Sequence, residues 1–264
     1  MMRLDLHVHS RHSFDGAMPV ETILLLAFRR GLHGVAITDH NTSRGAWEAL
    51  AAVERLGLPL VVVPGGEYTT DEGHILGLFL EGPLPLEAAL SPTGRLPWQR
   101  VVEDIRARGG ISILAHPFQR RRSLPPDLLE AVDGVEVFNA RLAYAPNPHA
   151  LDDAWEAALQ KGGFWTGGSD AHTPSEVGRG WVELPLPPQA GLSAIRQALR
   201  GPLRVGGRGS PPWVETVSQA RRLMALKEGK RLPRFLLKGA WNVARTCLYP
   251  RVWAKVRVME RSFP

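Results

Sequence analysis

Cysteine is nearly missing from this chain: Cys247 is the only one among 264 residues. No internal disulfide can form and no cysteine metal cluster can be built, a composition that suits a reducing cytoplasm. Long apolar runs are missing too. None is long enough to span a bilayer. The opening residues already hold Asp5, His7 and His9, with no apolar stretch ahead of them to act as a secretory leader. There is no internal repeat and no Ser or Cys nucleophile motif. Lysine is scarce: arginine supplies 27 of the 32 basic residues, and the first lysine is Lys161. What is present is 44% apolar residues, ample for a core, in a length that suits one α/β barrel or one domain with an appendage.

Charge divides the chain. Residues 1–199 carry 17 Lys and Arg against 23 Asp and Glu, a net of −6, whereas residues 200–264 carry 15 against 3, a net of +12. The tail is therefore a different electrostatic object from the body. Within the body, short apolar runs alternate with helical patterns, the mark of βα units around a mostly parallel sheet. Strands are expected at 3–10, 34–40, 58–68, 74–80, 110–117, 134–141 and 163–172, and helices at 19–30, 43–56, 97–108, 125–132 and 148–160. Pro19 and Pro97 stand where a first helical turn tolerates proline, and Gly31, Gly57 and Gly109 near C-caps. Residues 82–96 read as a loop and 201–212 as a linker. The division expected is a barrel over residues 1–200 and a basic, mostly helical extension over 201–264, packed on the barrel or tethered to it.

Metal-binding side chains recur at the expected strand ends: His7, His9, Asp15, His40, Glu67, His74, His116, Asp170 and His172. Neutral imidazole and carboxylate are the ligands of zinc, manganese and iron, and a parallel α/β barrel builds its site where strands end. His7 and His9 alternate, so both point to one face of a strand; alone, the pair also fits a half-buried strand with incidental histidines. Asp170 and His172 repeat the spacing, and their alternative is an Asx-type turn. His40 and Asp39 project oppositely on a regular strand. His40 is taken as the ligand, and Asp39 as either a partner that orients an imidazole or a helix N-cap. Glu67 and His74 differ by an odd number of positions, so the turn-like 69–73 between them puts them on the two sides of a hairpin-like connection. His12, His33 and His149 fit no site geometry.

The stretches DLHVHS, SFDG, GVAITDH, PGGEY, GHILGLF, ILAHP, VEVFNAR and GSDAH run in order from residue 4 to residue 172. Together they resemble the polymerase-and-histidinol-phosphatase (PHP) family of metal-dependent phosphoesterases. The resemblance implies a distorted seven-stranded (β/α)7 barrel. It implies two to three divalent ions of manganese, iron or zinc type, up to a trinuclear centre. One ion would be held by His7, His9, Glu67 and Asp170, a second by Glu67, His74 and His116, and a third by Asp15, His40 and His172, with Glu67 bridging the first two. Glu67, Asp170 and His172 are the candidates for catalytic work. The implied reaction is in-line attack of a metal-bridging hydroxide on a phosphoester of a small phosphorylated metabolite or nucleotide. An amidohydrolase can also open with H-x-H, but many of those bridge two metals through a carboxylated lysine, and no lysine stands at an early strand end here.

Phosphate calls for a cation beside the metals. Arg120, Arg121 and Arg122 follow the His116 strand end, Arg141 follows the next strand, and Arg179 follows GSDAH; the arginine fork matches phosphate oxygens. Arg120, Arg121, Arg141, Arg179 and Asn139 are the candidate substrate contacts, with Asn139 alternatively touching a ligand carboxylate. The arginine run also reads as a solvated face. The tail alternates apolar and basic residues in a way compatible with amphipathic helices. It either packs on the acidic body, contacts nucleic acid in an exonuclease-like phosphodiesterase, lies on an anionic membrane surface without spanning it, or pairs two chains.

Overall fold

The computed structural model describes residues 1–88, 90, 91, 93–119, 123–144, 149–227, 232–248 and 256–262. The body alternates strand and helix as the periodicity predicts. β1 (Met2–Val8) is followed by α1 (Val20–Arg29), β2 (Gly34–Ile37), α2 (Arg44–Leu56), β3 (Val61–Thr70) and β4 (Gly73–Leu78). Then come α3 (Trp98–Ala107), β5 (Ile111–Ala115), α4 (Pro126–Ala131), β6 (Gly134–Asn139), α5 (Ala150–Lys161) and β7 (Phe164–Gly168). Pro19 and Pro97 each precede a first helical turn, and Gly57 ends α2 in the left-handed conformation.

Three further strands complete one ten-stranded sheet, in the order β10-β9-β8-β1-β2-β3-β4-β5-β6-β7. They are β8 (Gly180–Leu184), β9 (Leu203–Arg208) and β10 (Val256–Arg261), with α6 (Leu192–Ala198), α7 (Trp213–Ala225) and α8 (Leu232–Leu248) between them. Two expectations are corrected here. The segment read as a linker contains β9, which pairs antiparallel with both β8 and β10, and the sheet has ten strands where seven were expected; the tail carries α7 and α8 and ends in a strand. Ladder hydrogen bonds and the burial of Leu203 and Val205 stabilise a segment whose Gly206 and Gly207 suggested a coil.

The sheet curls. β1, β2 and β3 are parallel, as are β5, β6 and β7, but β4 runs antiparallel between β3 and β5. Its turn at Thr70–Gly73 is the hairpin expected from the odd spacing of Glu67 and His74. Because β4 is reversed, its N-terminal end lies at the end of the barrel where its neighbours have their C-termini. At that end β7 returns to β1: the N–H of Asp170 donates to the carbonyl of His7 and the N–H of His9 to that of Ala171, both at 2.8 Å.

Apolar packing fixes this curl. Leu4, Leu6, Ala36, Val63, Leu76, Ile113, Val135 and Val137 are buried in one cluster with Phe138, Trp165 and the alanine face of α5. α1 and α2 cover Val35 and Ile37 through Ile23, Leu24, Ala46 and Ala49. α3 lays Val101, Val102 and Ile105 on Ile75 and Leu114. No described helix is long and apolar enough to cross a membrane. In the tail, α8 joins α7 through Lys238–Glu215 and Asn242–Glu215 contacts and leaves Leu236, Leu237 and Trp241 exposed.

The closure leaves no room beside β1 at Gly168, where an added Cβ would stand 2.3 Å from the Cβ of His7. Gly168→Ala should therefore push β7 off β1 and lower stability by about 1–3 kcal/mol, read as a fall in the denaturant midpoint at unchanged slope. An unchanged midpoint would mean that the strands do not close on each other here.

Candidate metal centre

All nine candidate ligands converge at one end of the barrel. Glu67, buried in β3, is the centre. Its carboxylate lies 2.9 Å from His74 Nδ1, 2.9 Å from His116 Nε2, 3.0 Å from His40 Nδ1, 3.4 Å from His9 Nε2 and 3.6 Å from His7 Nε2. Asp170 Oδ1 lies 3.3 Å from His9 Nε2 and 3.7 Å from His7 Nε2. Asp15 reaches His172 Nε2 at 3.3 Å and His40 Nε2 at 3.7 Å. Sets of three donors, each mutually within 4.8 Å, include His7, His9 and Glu67; His40, Glu67 and His74; His7, His116 and Asp170; and His9, His40 and His172.

The chain fixes which imidazole nitrogen faces the centre. His7 Nδ1 lies 2.8 Å from Glu136 Oε1, His9 Nδ1 lies 2.9 Å from Ser13 Oγ, and His172 Nδ1 lies 2.9 Å from the carbonyl of Asp170. Each outer contact holds one ring nitrogen and leaves Nε2 with its lone pair turned inward, the arrangement of metal-ligating histidines. His7 Nε2 and His9 Nε2 are 3.1 Å apart, two acceptors aimed at the same space. The backbone bends to achieve this: His116 and Asp170 have φ of 29° and 54°, and Asn41, next to His40, has 58°. Non-glycine residues in this region are strained, and such strain collects at functional sites.

Electrostatics point the same way. Burial opposes the charge of Glu67, yet His74, His40 and His7 hold its carboxyl well below the usual range. Burial likewise opposes the charges of Asp15 and Asp170; His172 and His40 hold the first down, and His7 and His9 the second. Burial disfavours protonation of His40, but Glu67 and Asp15 outweigh it and push its pKa up to about 9. His9 is driven well below the ordinary value by burial and by His172. The carboxylates are held toward the ionised form by the positive charge of the imidazoles around them, and His7 and His116, which burial alone would lower, are raised in turn by Glu136 and Glu67. Glu67 Oε2, Asp15 Oδ1 and His40 Nδ1 are buried without a hydrogen bond, the Glu67–His40 pair being close but misaligned. Buried polar atoms without partners are rare in native proteins, and an ion is one of the partners that satisfies them. The donor set fits divalent cations.

The other candidates are placed differently. Asn139 is buried and donates through Nδ2 to Glu136 Oε2 (3.1 Å) and Asp170 Oδ2 (3.3 Å), so it holds a candidate ligand and does not line the cavity. Arg141 lines the cavity, but its guanidinium forks onto Glu176 at 2.8 and 2.9 Å. Arg179 donates to the carbonyls of Ser175 and Gly209, away from the cavity. Arg120 and Arg121, with Arg122, lie outside the described residues. Asp39 is neither an N-cap side chain nor a direct imidazole partner: it accepts from Ser10 and from Ser13 Oγ, and so acts on His9 through Ser13.

Sequence reasoning missed Glu136, Ser13, and the α7 residues Glu215, Gln219 and Arg222 that line the cavity. Glu136 had a signal. An acid between Val135 and Val137 in a strand buried on both faces must have partners, here His7 Nδ1 and the N–H of His116.

Histidines and carboxylates gathered at strand ends of an α/β barrel define a metal-dependent hydrolase class. Comparison with known proteins narrows it. A model of the PHP domain matches residues 5–78 and one of the PHP-associated segment matches residues 148–201. An uncharacterized protein of Methanocaldococcus jannaschii is 36% identical over 151 residues, spanning 53% of this chain and 82% of that one. A 3′,5′-nucleoside bisphosphate phosphatase of Chromobacterium violaceum is 38% identical over 156 residues, spanning 57% of this chain and 46% of that one. The fold matches a two-domain Bacteroides vulgatus protein containing a predicted PHP-like metal-dependent phosphoesterase, with a TM-score of 0.61 at 18% identity, over 83% of this chain and 69% of that one. The chain belongs to the PHP family and is a metal-dependent phosphoesterase.

Glu136 anchors His7 from behind, so Glu136→Gln is expected to weaken divalent-metal binding by about 10- to 100-fold. Calorimetric titration with Mn²⁺ reads this directly. Equal affinity in wild type and variant would remove Glu136 from the metal centre.

Proposed function

We propose that the chain hydrolyses a phosphomonoester carried by a small metabolite or nucleotide. The observation that carries this reading is the cavity above Glu67. It measures about 350 Å³, within the range of small-molecule sites, and is lined by Asp15, His40, Glu67, His74, His116, Asp170 and His172 together with Phe14 and Arg141. The candidate ligands thus face a space of metabolite size. The likeness to a phosphatase of 3′,5′-nucleoside bisphosphates supports a substrate of nucleotide dimensions.

His7, His9, Glu67 and Asp170 would hold one divalent ion; Glu67, His74 and His116 a second; and Asp15, His40 and His172 a third. Bound divalent ions supply Lewis acidity toward the phosphoryl oxygens and lower the pKa of a water to about 7. The chain supplies the rest. Glu136, Ser13 and the Asp170 carbonyl keep the imidazoles oriented before substrate arrives, so the geometry needs no reorganisation during reaction. His172, with Nδ1 held by the Asp170 carbonyl, keeps Nε2 at the cavity as a ligand atom. No covalent enzyme intermediate is required.

A screen of phosphorylated metabolites with added Mn²⁺ should find a hydrolysed monoester. In that assay His9→Ala and Asp170→Asn should each lower kcat/KM by roughly 100-fold or more while circular dichroism stays native. Full activity in either variant, or activity that survives exhaustive chelation, would refute the assignment.

A further inference from the structure

α7 lies beyond both family-model matches, the second of which ends at residue 201. It nevertheless forms part of the cavity wall through Glu215, Gln219 and Arg222. These positions are four and three apart and so share one helix face. The wall is tied to the metal centre. Val214 and Ser218 are buried, and Arg141 Nη2 donates to Ser218 Oγ at 2.9 Å. The same guanidinium forks onto Glu176, whose Oε2 accepts the backbone N–H of His172 at 3.1 Å. A chain of hydrogen bonds thus runs from His172 through Glu176 and Arg141 to α7.

The charges on that face are unequal. Glu215 is matched by Lys238 and Asn242 of α8. Among the described residues no carboxylate pairs with Arg222, and its Nε is buried without a hydrogen-bond partner. Its guanidinium instead lies over the ring of Phe14, 5.4 Å from the centroid, and Phe14 stacks on His40 with centroids 5.0 Å apart. A guanidinium laid on an aromatic face keeps its in-plane N–H fork free for a planar anionic acceptor. Arg222 therefore presents an uncompensated positive charge, one aromatic ring out from the candidate ligand His40.

We propose that Arg222 determines specificity by binding a second anionic group of the substrate, a phosphate or carboxylate remote from the phosphate being cleaved. The inference rests on the phosphomonoesterase reading. It narrows the substrate class to small phosphomonoesters with two anionic ends. The scissile phosphate belongs over the histidines and carboxylates, and the far group at the α7 wall.

Matched pairs test this in the full-length, Mn²⁺-loaded protein. Adenosine 3′,5′-bisphosphate against adenosine 5′-monophosphate reads a second phosphate, and 3-phosphoglycerate against glycerol 3-phosphate reads a carboxylate. In wild type the kcat/KM ratio should favour the two-anion member of at least one pair, and the pair that does so identifies the group. Arg222→Ala should lower that ratio by about 10- to 100-fold, chiefly through KM, and Arg222→Lys should restore part of it. A ratio unchanged in Arg222→Ala, or an equal loss on both members of each pair, overturns the proposal. Calorimetric binding of the same four compounds to the purified full-length chain reads the contact without turnover. Tighter binding of a two-anion compound that Arg222→Ala abolishes, with no hydrolysis of any of them, sustains the α7 contact and sinks the phosphomonoesterase reading. Equal binding to wild type and variant sinks the contact whatever is hydrolysed.

Discussion

Glu67 is a buried carboxylate whose oxygens lie within 3.6 Å of five imidazoles. An unsolvated charge in a protein interior is costly unless it is paired and hydrogen-bonded, and so much of this end of the barrel is organised around it. The reversed strand β4 brings His74 to Glu67. The left-handed backbone at His116 turns that ring off the end of β5. The return of β7 to β1 brings Asp170 and His172 beside His7 and His9. Each device has a local cost, in strain or in excluded side-chain volume at Gly168, that the surrounding core offsets. Loss of the central charge would leave those imidazoles without their shared acceptor.

A second layer gives the first its orientation. Glu136 serves His7 and the N–H of His116, Ser13 serves His9 and the N–H of His40, and Asn139 serves Asp170. Arg141 and Glu176 extend this layer outward to α7. The basic tail is thus joined to the centre by hydrogen bonds, and its first helix lines the cavity above the centre. Phe14 links the layers on the open side, stacked on His40 and lying beneath Arg222.

The candidate ligands were legible in the sequence for a physical reason. Few side chain types bind divalent ions, and a barrel gathers them at strand ends, so all but Asp15, which lies in the loop after β1, stand beside an apolar run that marks their position. The spacing of Glu67 and His74 even revealed the hairpin. What could not be read were contacts between distant segments. Arg141 stands where a phosphate contact would be expected, but Glu176, 35 residues on, occupies its fork. Glu136 is marked as an acid between two valines, but its partners His7 and His116 lie in β1 and just after β5. β9 and β10 were hidden because Gly206, Gly207 and the flanking prolines depress strand propensity, whereas their pairing with each other and with β8 is a tertiary effect. The α7 wall was hidden because a basic amphipathic helix carries no mark of the surface it covers.

The central claim is that the buried carboxylates and imidazoles are balanced by divalent cations. Elemental analysis of the full-length chain, purified without chelator and weighed against protein concentration, tests it most directly. The account predicts two to three ions of manganese, iron or zinc per chain, as the number of donor groups at the centre allows, falling with hydrolytic activity when Glu67 is replaced by Gln. An active chain with less than about one such ion would contradict it, because the chemistry would then proceed without the charges that the centre is built to hold.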